Sequence, residues 1–214
     1  KAYIGVPHVR GVGKRASEYA IGNTVKLSEN GSLVEYIVVH QGLPSDIYDS
    51  SCNGTWLLRK ECFKKDITSN LNNNSYDTTT AHKVLSGATS GFVSLFDQNT
   101  LNAVKQVKIP YYQGGQYPDA LKTGASGLST KFFFLSYKEA GGQYGPTVQD
   151  GDKLDYFIRG DDSTSACNRR LATFNGSNVG WWLRTPSDDT ILAGVVGEDG
   201  RCPYWTGLTT DPYG

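Results

Sequence analysis

The chain has 214 residues with 21 basic and 21 acidic side chains, so no net positive charge advertises a phosphate backbone and nucleic-acid binding is disfavoured. Hydrophobic residues at 38%, with 12% aromatic and 20% charged, mark a globular rather than a disordered chain. No segment approaches the roughly 20 apolar residues that span a bilayer, so a soluble chain without membrane insertion is expected, with one main domain at roughly 100–200 residues per domain.

Residues 1–22, KAYIGVPHVRGVGKRASEYAIG, are Gly-rich and weak in core periodicity, and read as a lead-in segment before a domain spanning 23–214. NTVKLSENGSLVEYIVVHQG then predicts a β-hairpin, because Asn30-Gly31 suits a tight turn and the flanks alternate Val25, Leu27 and then Leu33 to Val39. GTWLLRKE predicts the next strand. A polar stretch from Ser69 to Thr80 supplies a Thr N-cap to a helix in which Ala81, Val84, Leu85, Ala88, Phe92, Leu95 and Phe96 recur at helical spacing. A second helix is expected over about 99–107, stopped by Pro110, followed by a long loop over 111–129.

TKFFFLS predicts a buried strand and KLDYFI a further extended piece, while 159–180 allows one short helix around Cys167 to Phe174. Strand and helix fail to alternate at regular spacing, so the class is α+β, with short, mostly antiparallel strands, two modest helices and long irregular loops. Long loops that persist in a compact domain tend to carry function, which draws attention to 111–129 and to everything after Pro186.

The chemistry-bearing residues are sparse. His8, His40 and His82 are dispersed, no Ser sits in a GxSxG elbow, and the bland reading of His40 is a structural histidine at the end of an apolar strand. No catalytic residue is therefore assigned. GVGK and GGQYG lack the strand, helix and spacing of a phosphate-binding loop and read as turns. Asp161-Asp162 and Asp188-Asp189 offer oxygen ligands that calcium takes, but solvated loop carboxylates are the preferred reading, and no metal or cofactor is expected.

Four cysteines, Cys52, Cys62, Cys167 and Cys202, allow three connectivities, yet a domain of this size needs no staple and free thiols are the default. With a strand between them, Cys52 and Cys62 stand about 30 Å apart at roughly 3.3 Å per residue. Of Trp181 and Trp182, strand alternation sends one into the core and the other to an edge or second layer, and Arg184 reads as a structural ion-pair partner. Tyr204 and Trp205 differ: no apolar period surrounds them, and stiff aromatics on a Gly-rich loop have the composition of a contact surface.

EYIVVHQGLP, SCNGTWLLRKE, AVKQVKIPYY, FFFLSYKE, WWLRTPS and the closing YG resemble a bacterial and phage domain family of gut organisms, the domain of unknown function DUF6273, from about Asn23 to Gly214. The resemblance implies a C-type lectin-like fold whose last strand would lie beyond Gly214. It also implies kinship with the variable proteins of diversity-generating retroelements, in which a C-terminal segment is rewritten by adenine-directed mutagenesis. That window here is Ser187 to Tyr213, and apart from Glu198 and Trp205 each of its residues has a codon ending in a pyrimidine, as rewriting of AAC or AAT codons would give.

By this resemblance the ligand-binding positions are Asp188, Asp189, Thr190, Ile191, Leu192, Val195, Gly197, Asp199, Arg201, Pro203, Tyr204, Gly207 and Leu208, with Trp205 as either contact or frame and with Val196 and Gly200 as scaffold. Alternation around Val196 fits a strand with one face inward and one offered to a ligand. The window holds five acids and one base, which favours a cationic patch on the partner. The lead-in KAYIGVPHVRGVGK resembles short units near the start of phage tail-associated proteins.

Together these resemblances imply a non-enzymatic receptor-binding domain, on a phage tail or a bacterial cell surface, that recognises a cell-surface protein or glycan. Homo-oligomerisation as a trimer is the assembly they suggest, though no heptad repeat is present to drive it. The EPN, QPD and WND motifs of calcium-dependent sugar binding are lacking. Two alternatives remain: an enzyme related to formylglycine-generating proteins, for which Cys167 and Cys202 would have to meet, and a purely structural virion module.

Overall fold

A computed structural model describes residues 14–63, 75–87, 91–113, 121–143, 149–187 and 192–202, with backbone alone at 192 and 204–207. The chain enters along a 3-10 turn, Ala16–Glu18, that is tied to the strand beyond it: Gln41 Nε2 donates to the carbonyls of Ala16 and Tyr19, each at 3.1 Å. Tyr19 and Ile21 pack against the core. The end of the lead-in is thus docked on the domain.

The expected hairpin is present as β1 (Thr24–Glu29) and β2 (Ser32–Gly42). Asn30 at φ 48° and Gly31 at φ 82° both occupy the left-handed region that a two-residue type I′ connection demands. β3 (Gly54–Arg59) adds antiparallel to β2, with a register shift between Val38 and His40. Residues 55–58 of β3 are all buried, so both faces of this strand are covered. Trp56 sits at the centre, edge-on to Tyr48 and Phe133 at 5.6 Å each, with its indole N–H donated to the Cys52 carbonyl at 3.0 Å.

The long helix predicted from Ala81 to Phe96 is split. α1 (Thr80–Ser86) starts where the Thr79 hydroxyl accepts from the His82 N–H, and ends at Gly87; a 3-10 turn, Phe92–Leu95, follows. The break has a steric reason: a Cβ at Gly91 would lie 2.3 Å from the Val84 carbonyl, so the chain doubles back onto α1 more closely than any side chain permits. α2 (Gln98–Ala103), capped by Asp97, is shorter than predicted, because Val107 instead enters β4 (Val107–Ile109).

The expected loop over 111–129 carries more pairing than its composition suggests. β5 (Tyr111–Tyr112) pairs with β6 (Leu121–Lys122), and β4 pairs with β7 (Leu128–Thr130). Pro110, which has no N–H, separates β4 from β5.

Two predicted strands are not strands. Phe132 to Leu135 are buried but form no ladder: the Tyr76 hydroxyl accepts from the Phe134 N–H at 2.8 Å, the Arg184 guanidinium donates to the Phe134 carbonyl at 2.9 Å, and a single backbone bond joins the Arg184 N–H to the Leu135 carbonyl. KLDYFI forms a turn, in which Phe157 N–H bonds the Leu154 carbonyl and the Lys153 ammonium donates to the carbonyls of Leu154 and Phe157. One short helix is present where one was expected, but α3 (Thr164–Arg170) begins three residues earlier than Cys167 and ends before Phe174, because Thr173–Phe174 enter β8 of a small hairpin with β9 (Ser177–Asn178). The last sheet orders β10 (Trp181–Pro186), β11 (Leu192–Val196) and β12 (Tyr204–Gly207), antiparallel throughout.

Mixed α+β architecture with short antiparallel strands is therefore observed, and among the described residues the α-helices number three, each seven residues or fewer. No helix among the described residues is long and apolar enough to cross a membrane.

Candidate functional site: the C-terminal hairpin and its frame

WWLRTP is apolar at both ends and polar in the middle, yet all six of its residues are buried in β10. Trp181 and Trp182 are each 1% exposed, so of the two places expected for the second of them, an edge or a second layer, the edge is ruled out: β10 is covered on both faces. It pairs with β11 through Trp181 to Val196 and Trp182 to Val195, and the register shifts before Pro186 meets Ala193. At that shift the Arg184 N–H bonds outward to the Leu135 carbonyl at 2.9 Å.

Arg184 is the ion-pair partner its position suggested. Its guanidinium grips Glu139 through two bonds of 2.5 and 2.6 Å, and also donates to the carbonyls of Pro110 (2.9 Å), Phe134 (2.9 Å) and Asp150 (2.7 Å). Both partners have fully buried side chains. Burial opposes the Arg184 charge, and the Glu139 carboxylate outweighs it, so the guanidinium is held charged.

Glu139 accepts further from the Tyr48 hydroxyl at 2.6 Å and the Ser136 N–H at 2.8 Å. Asp150 lies beside it: one oxygen accepts from Thr185 Oγ1 at 2.8 Å, while Oδ1 is buried with no hydrogen-bond partner. Burial pushes the Asp150 carboxyl up to about 6, with Arg184 and the Thr185 bond opposing that rise. One guanidinium thus neutralises Glu139 and only partly serves Asp150.

A second buried arginine holds the far end of the same sheet. Arg170, fully buried on the last turn of α3, donates Nε to the Gly200 carbonyl at 2.7 Å, Nη1 to Gly160 at 2.8 Å and Ala140 at 3.2 Å, and Nη2 to Asp161 at 2.8 Å. Its own carbonyl accepts from the Trp181 indole at 2.9 Å. Four loop carbonyls converge on one planar donor, and among the described residues no carboxylate is paired with it.

The connection from β11 to β12 is shaped by that anchor. Gly197 N–H bonds the Arg201 carbonyl at 3.0 Å and Gly200 N–H the Gly197 carbonyl at 2.9 Å, while Cys202 N–H bonds the Asp161 carbonyl at 3.1 Å. Gly200 is at φ 80°, and a Cβ there would lie 2.2 Å from the Cys167 carbonyl, so this glycine is required both by conformation and by close approach to α3. Glu198, Asp199 and Arg201 are exposed. The Arg201 to Asp199 ion pair, at 3.6 Å between half-exposed side chains, contributes little.

The structure brings some predicted contact positions together here and separates others. Asp199 and Arg201 share the exposed turn with the half-buried Gly197. Val195 does not: it is 0% exposed, as is Val196, so β11 is covered on both faces and the expected alternation of one inward and one offered face is not what is observed. Val195 and Val196 both belong to the main core cluster, so side chains pack over each face of β11 while β10 and β12 pair with its two edges. Register pairs Val195 with Tyr204, Gly194 with Trp205 and Leu192 with Gly207. Asp188, Asp189, Thr190, Ile191, Pro203 and Leu208, and the side chains of Leu192, Tyr204 and Trp205, lie outside the described residues.

Arg170, Glu139 and Asp150 escaped the sequence reading, since nothing in SYKE or CNRR distinguishes a buried charge from a solvated one. All four cysteines are free and buried. Burial pushes the thiols of Cys52 and Cys202 up to about 12 each. His40 is buried at the end of β2 with Nδ1 2.8 Å from an Asp155 oxygen, a close polar contact whose geometry falls short of a hydrogen bond. No cluster of three or more metal-ligating side chains occurs among the described residues.

These features define an α+β domain in which a C-terminal three-stranded sheet is fixed from behind by two buried arginines. The family model for DUF6273, a domain of unknown function, matches residues 53–203, well over half of the chain, and the chain belongs to that family. No curated protein and no solved structure matches it.

Proposed function

We propose that this domain is a non-enzymatic binding module whose recognition surface is the segment 187–213, displayed on a C-type lectin-like scaffold and used for adsorption to a cell-surface protein or glycan. The observation that carries this reading is the separation of roles at the β11–β12 connection. Its backbone is locked to α3 through Gly200 and to the Asp161 carbonyl through Cys202, while the side chains of Glu198, Asp199 and Arg201 are exposed, the Asp199 carboxylate accepting from the Arg201 N–H at 3.0 Å inside the turn. A fixed frame with replaceable side chains is what a diversified surface needs. The resemblance to retroelement variable proteins and to phage tail units supplies the setting, a virion tail or bacterial surface.

Sequencing this locus across sibling isolates tests the reading: changes concentrated in 187–213, beside a near-copy of the segment and a reverse transcriptase, are the expected result. Changes scattered evenly along the chain would overturn it. A second reading, an enzyme built on a cysteine pair, draws on the approach of both Cys167 and Cys202 to the Asp161 carbonyl. Their burial, at 7% and 2% exposed, keeps substrate from either thiol and places this reading second.

A further inference from the structure

Cys167 and Cys202 are distant in sequence and adjacent in space. Cys167 Sγ lies 4.0 Å from the Asp161 carbonyl oxygen, and the Cys202 N–H bonds that same oxygen at 3.1 Å, so the two residues flank one atom. The β11–β12 connection is pressed against α3 as well, since Gly200, two residues before Cys202, meets the Cys167 carbonyl too closely for any side chain. The Cys167 thiol is also among the groups that raise the Cys202 thiol, after burial and Asp161 and against Arg170, which places the two sulfurs within electrostatic reach of each other. Cys52 and Cys62 have no such relation, being separated by the length of β3.

We propose that Cys167 and Cys202 form an oxidisable dithiol that closes to a disulfide, bolting α3 to the β11–β12 connection. A bridge requires Cα atoms about 4.4–6.8 Å apart, and the shared Asp161 oxygen holds Cys167 Sγ within about 7 Å of the Cys202 nitrogen, a neighbourhood in which side-chain rotation can bring the two sulfurs together. With oxidised glutathione as the electron acceptor, the Cys167 thiolate attacks one glutathione sulfur and releases a glutathione thiolate. The Cys202 thiolate then attacks the Cys167 sulfur of the mixed disulfide and releases the second. Two cysteine thiols lose two electrons and two protons, and one glutathione disulfide becomes two glutathione thiols.

Both thiols are buried in the closed fold, so glutathione reaches them when the connection opens; Cys167, the more exposed, is then the entry point, and Cys202, whose proton burial holds until that opening, is the resolving thiol. The bond would fix the turn bearing Glu198, Asp199 and Arg201 in one orientation, whatever that face binds, so it stands independently of the proposed function.

The test starts from reduced, folded wild-type protein, equilibrated over a series of oxidised-to-reduced glutathione ratios, quenched by alkylation in denaturant, and read by intact mass and peptide mapping. The expected result is loss of about 2 Da, with the peptides containing Cys167 and Cys202 joined, and a thermal midpoint higher by about 5–10 °C in the oxidised form. Cys167→Ser and Cys202→Ser should each abolish that oxidation-dependent rise, and Cys52→Ser should retain it. Four alkylated cysteines at every ratio, a glutathione adduct that persists on Cys167, or a bridge through Cys52 or Cys62 would each overturn the proposal. The wild-type mapping decides the matter even where a variant fails to fold.

Discussion

Replacement of Arg170 by Met isolates the anchor of the C-terminal hairpin. The variant leaves the carbonyls of Gly200, Gly160 and Ala140 without their guanidinium donor, whereas the Asp161 carbonyl keeps the Cys202 N–H. At about 1–3 kcal/mol for each buried acceptor left unmet, the gross cost is about 3–9 kcal/mol. Against this, removing a buried cation that has no carboxylate partner recovers part of its desolvation cost, so a net loss of about 2–5 kcal/mol is expected. For a chain of this size that corresponds to a thermal midpoint lower by about 4–20 °C.

Arg170→Lys should fall between wild type and Met, because an ammonium has three donors and lacks the planar spread that reaches loops on either side. Urea unfolding gives the magnitude, and amide exchange gives the location: the Gly200 and Cys202 amides should lose more protection than those of β1–β3. A loss under about 1 kcal/mol for Arg170→Met, with unchanged exchange at Gly200 and Cys202, would refute the idea that this side chain holds the connection in place.

Glu139→Gln strands the Arg184 charge in a dry site, and should destabilise the fold by about 3–5 kcal/mol in urea unfolding, far more than removal of the exposed Lys60 to Glu35 pair. Asp150→Asn acts in the opposite direction. Because burial raises the Asp150 carboxyl to about 6 in the fold, its favourable contribution is complete below the unfolded-state value near 4 and is lost as pH rises through 6. The variant should therefore match wild type at pH 4 and exceed its stability by about 1–3 kcal/mol at pH 7.5, as unfolding curves at the two pH values would show. Gly200→Ala combines a left-handed φ with a Cβ placed against the Cys167 carbonyl, and a loss of about 2 kcal/mol or more is expected, measured by thermal unfolding.

Local chemistry was legible in the sequence and tertiary satisfaction was not. Asn30-Gly31 announces its hairpin because only a narrow set of residues tolerates two successive left-handed positions, and Thr79 announces α1 by the same kind of local constraint. The run of three phenylalanines from 132 reads as a strand from hydrophobicity alone, but its backbone partners are Tyr76, 58 residues away in sequence, and Arg184, 50 residues away. No window-based pattern contains them. In the candidate site, the exposure of Asp199 and Arg201 agrees with their polar, Gly-flanked setting, whereas Val195 was misplaced because its burial is decided by the core side chains packed over each face of β11 rather than by alternation along the strand.

The two buried arginines explain how a domain with such short elements closes at all. Loops buried in a core must satisfy their carbonyls, and where no ladder reaches them a single guanidinium can serve several strands of chain at once. Arg184 does this for the carbonyls of Pro110, Phe134 and Asp150, and Arg170 for those of Ala140, Gly160, Asp161 and Gly200. The bonds that tie the β11–β12 connection to its neighbours through Gly200 and Cys202 are thus made by its backbone, while inside the turn the Asp199 carboxylate accepts from the Arg201 N–H at 3.0 Å. Side chains at 198 and 201 can change at a cost within about 0.5 kcal/mol, as ordinary surface positions do. Asp199 can change at about 0.5–1.5 kcal/mol, because its carboxylate accepts from the Arg201 N–H, and Gly200 only at more, because of its left-handed φ and its approach to the Cys167 carbonyl. Tolerance at 198 and 201 beside intolerance at 200 is the thermodynamic condition that a rewritten binding surface has to meet, and here it follows from which atoms carry the hydrogen bonds.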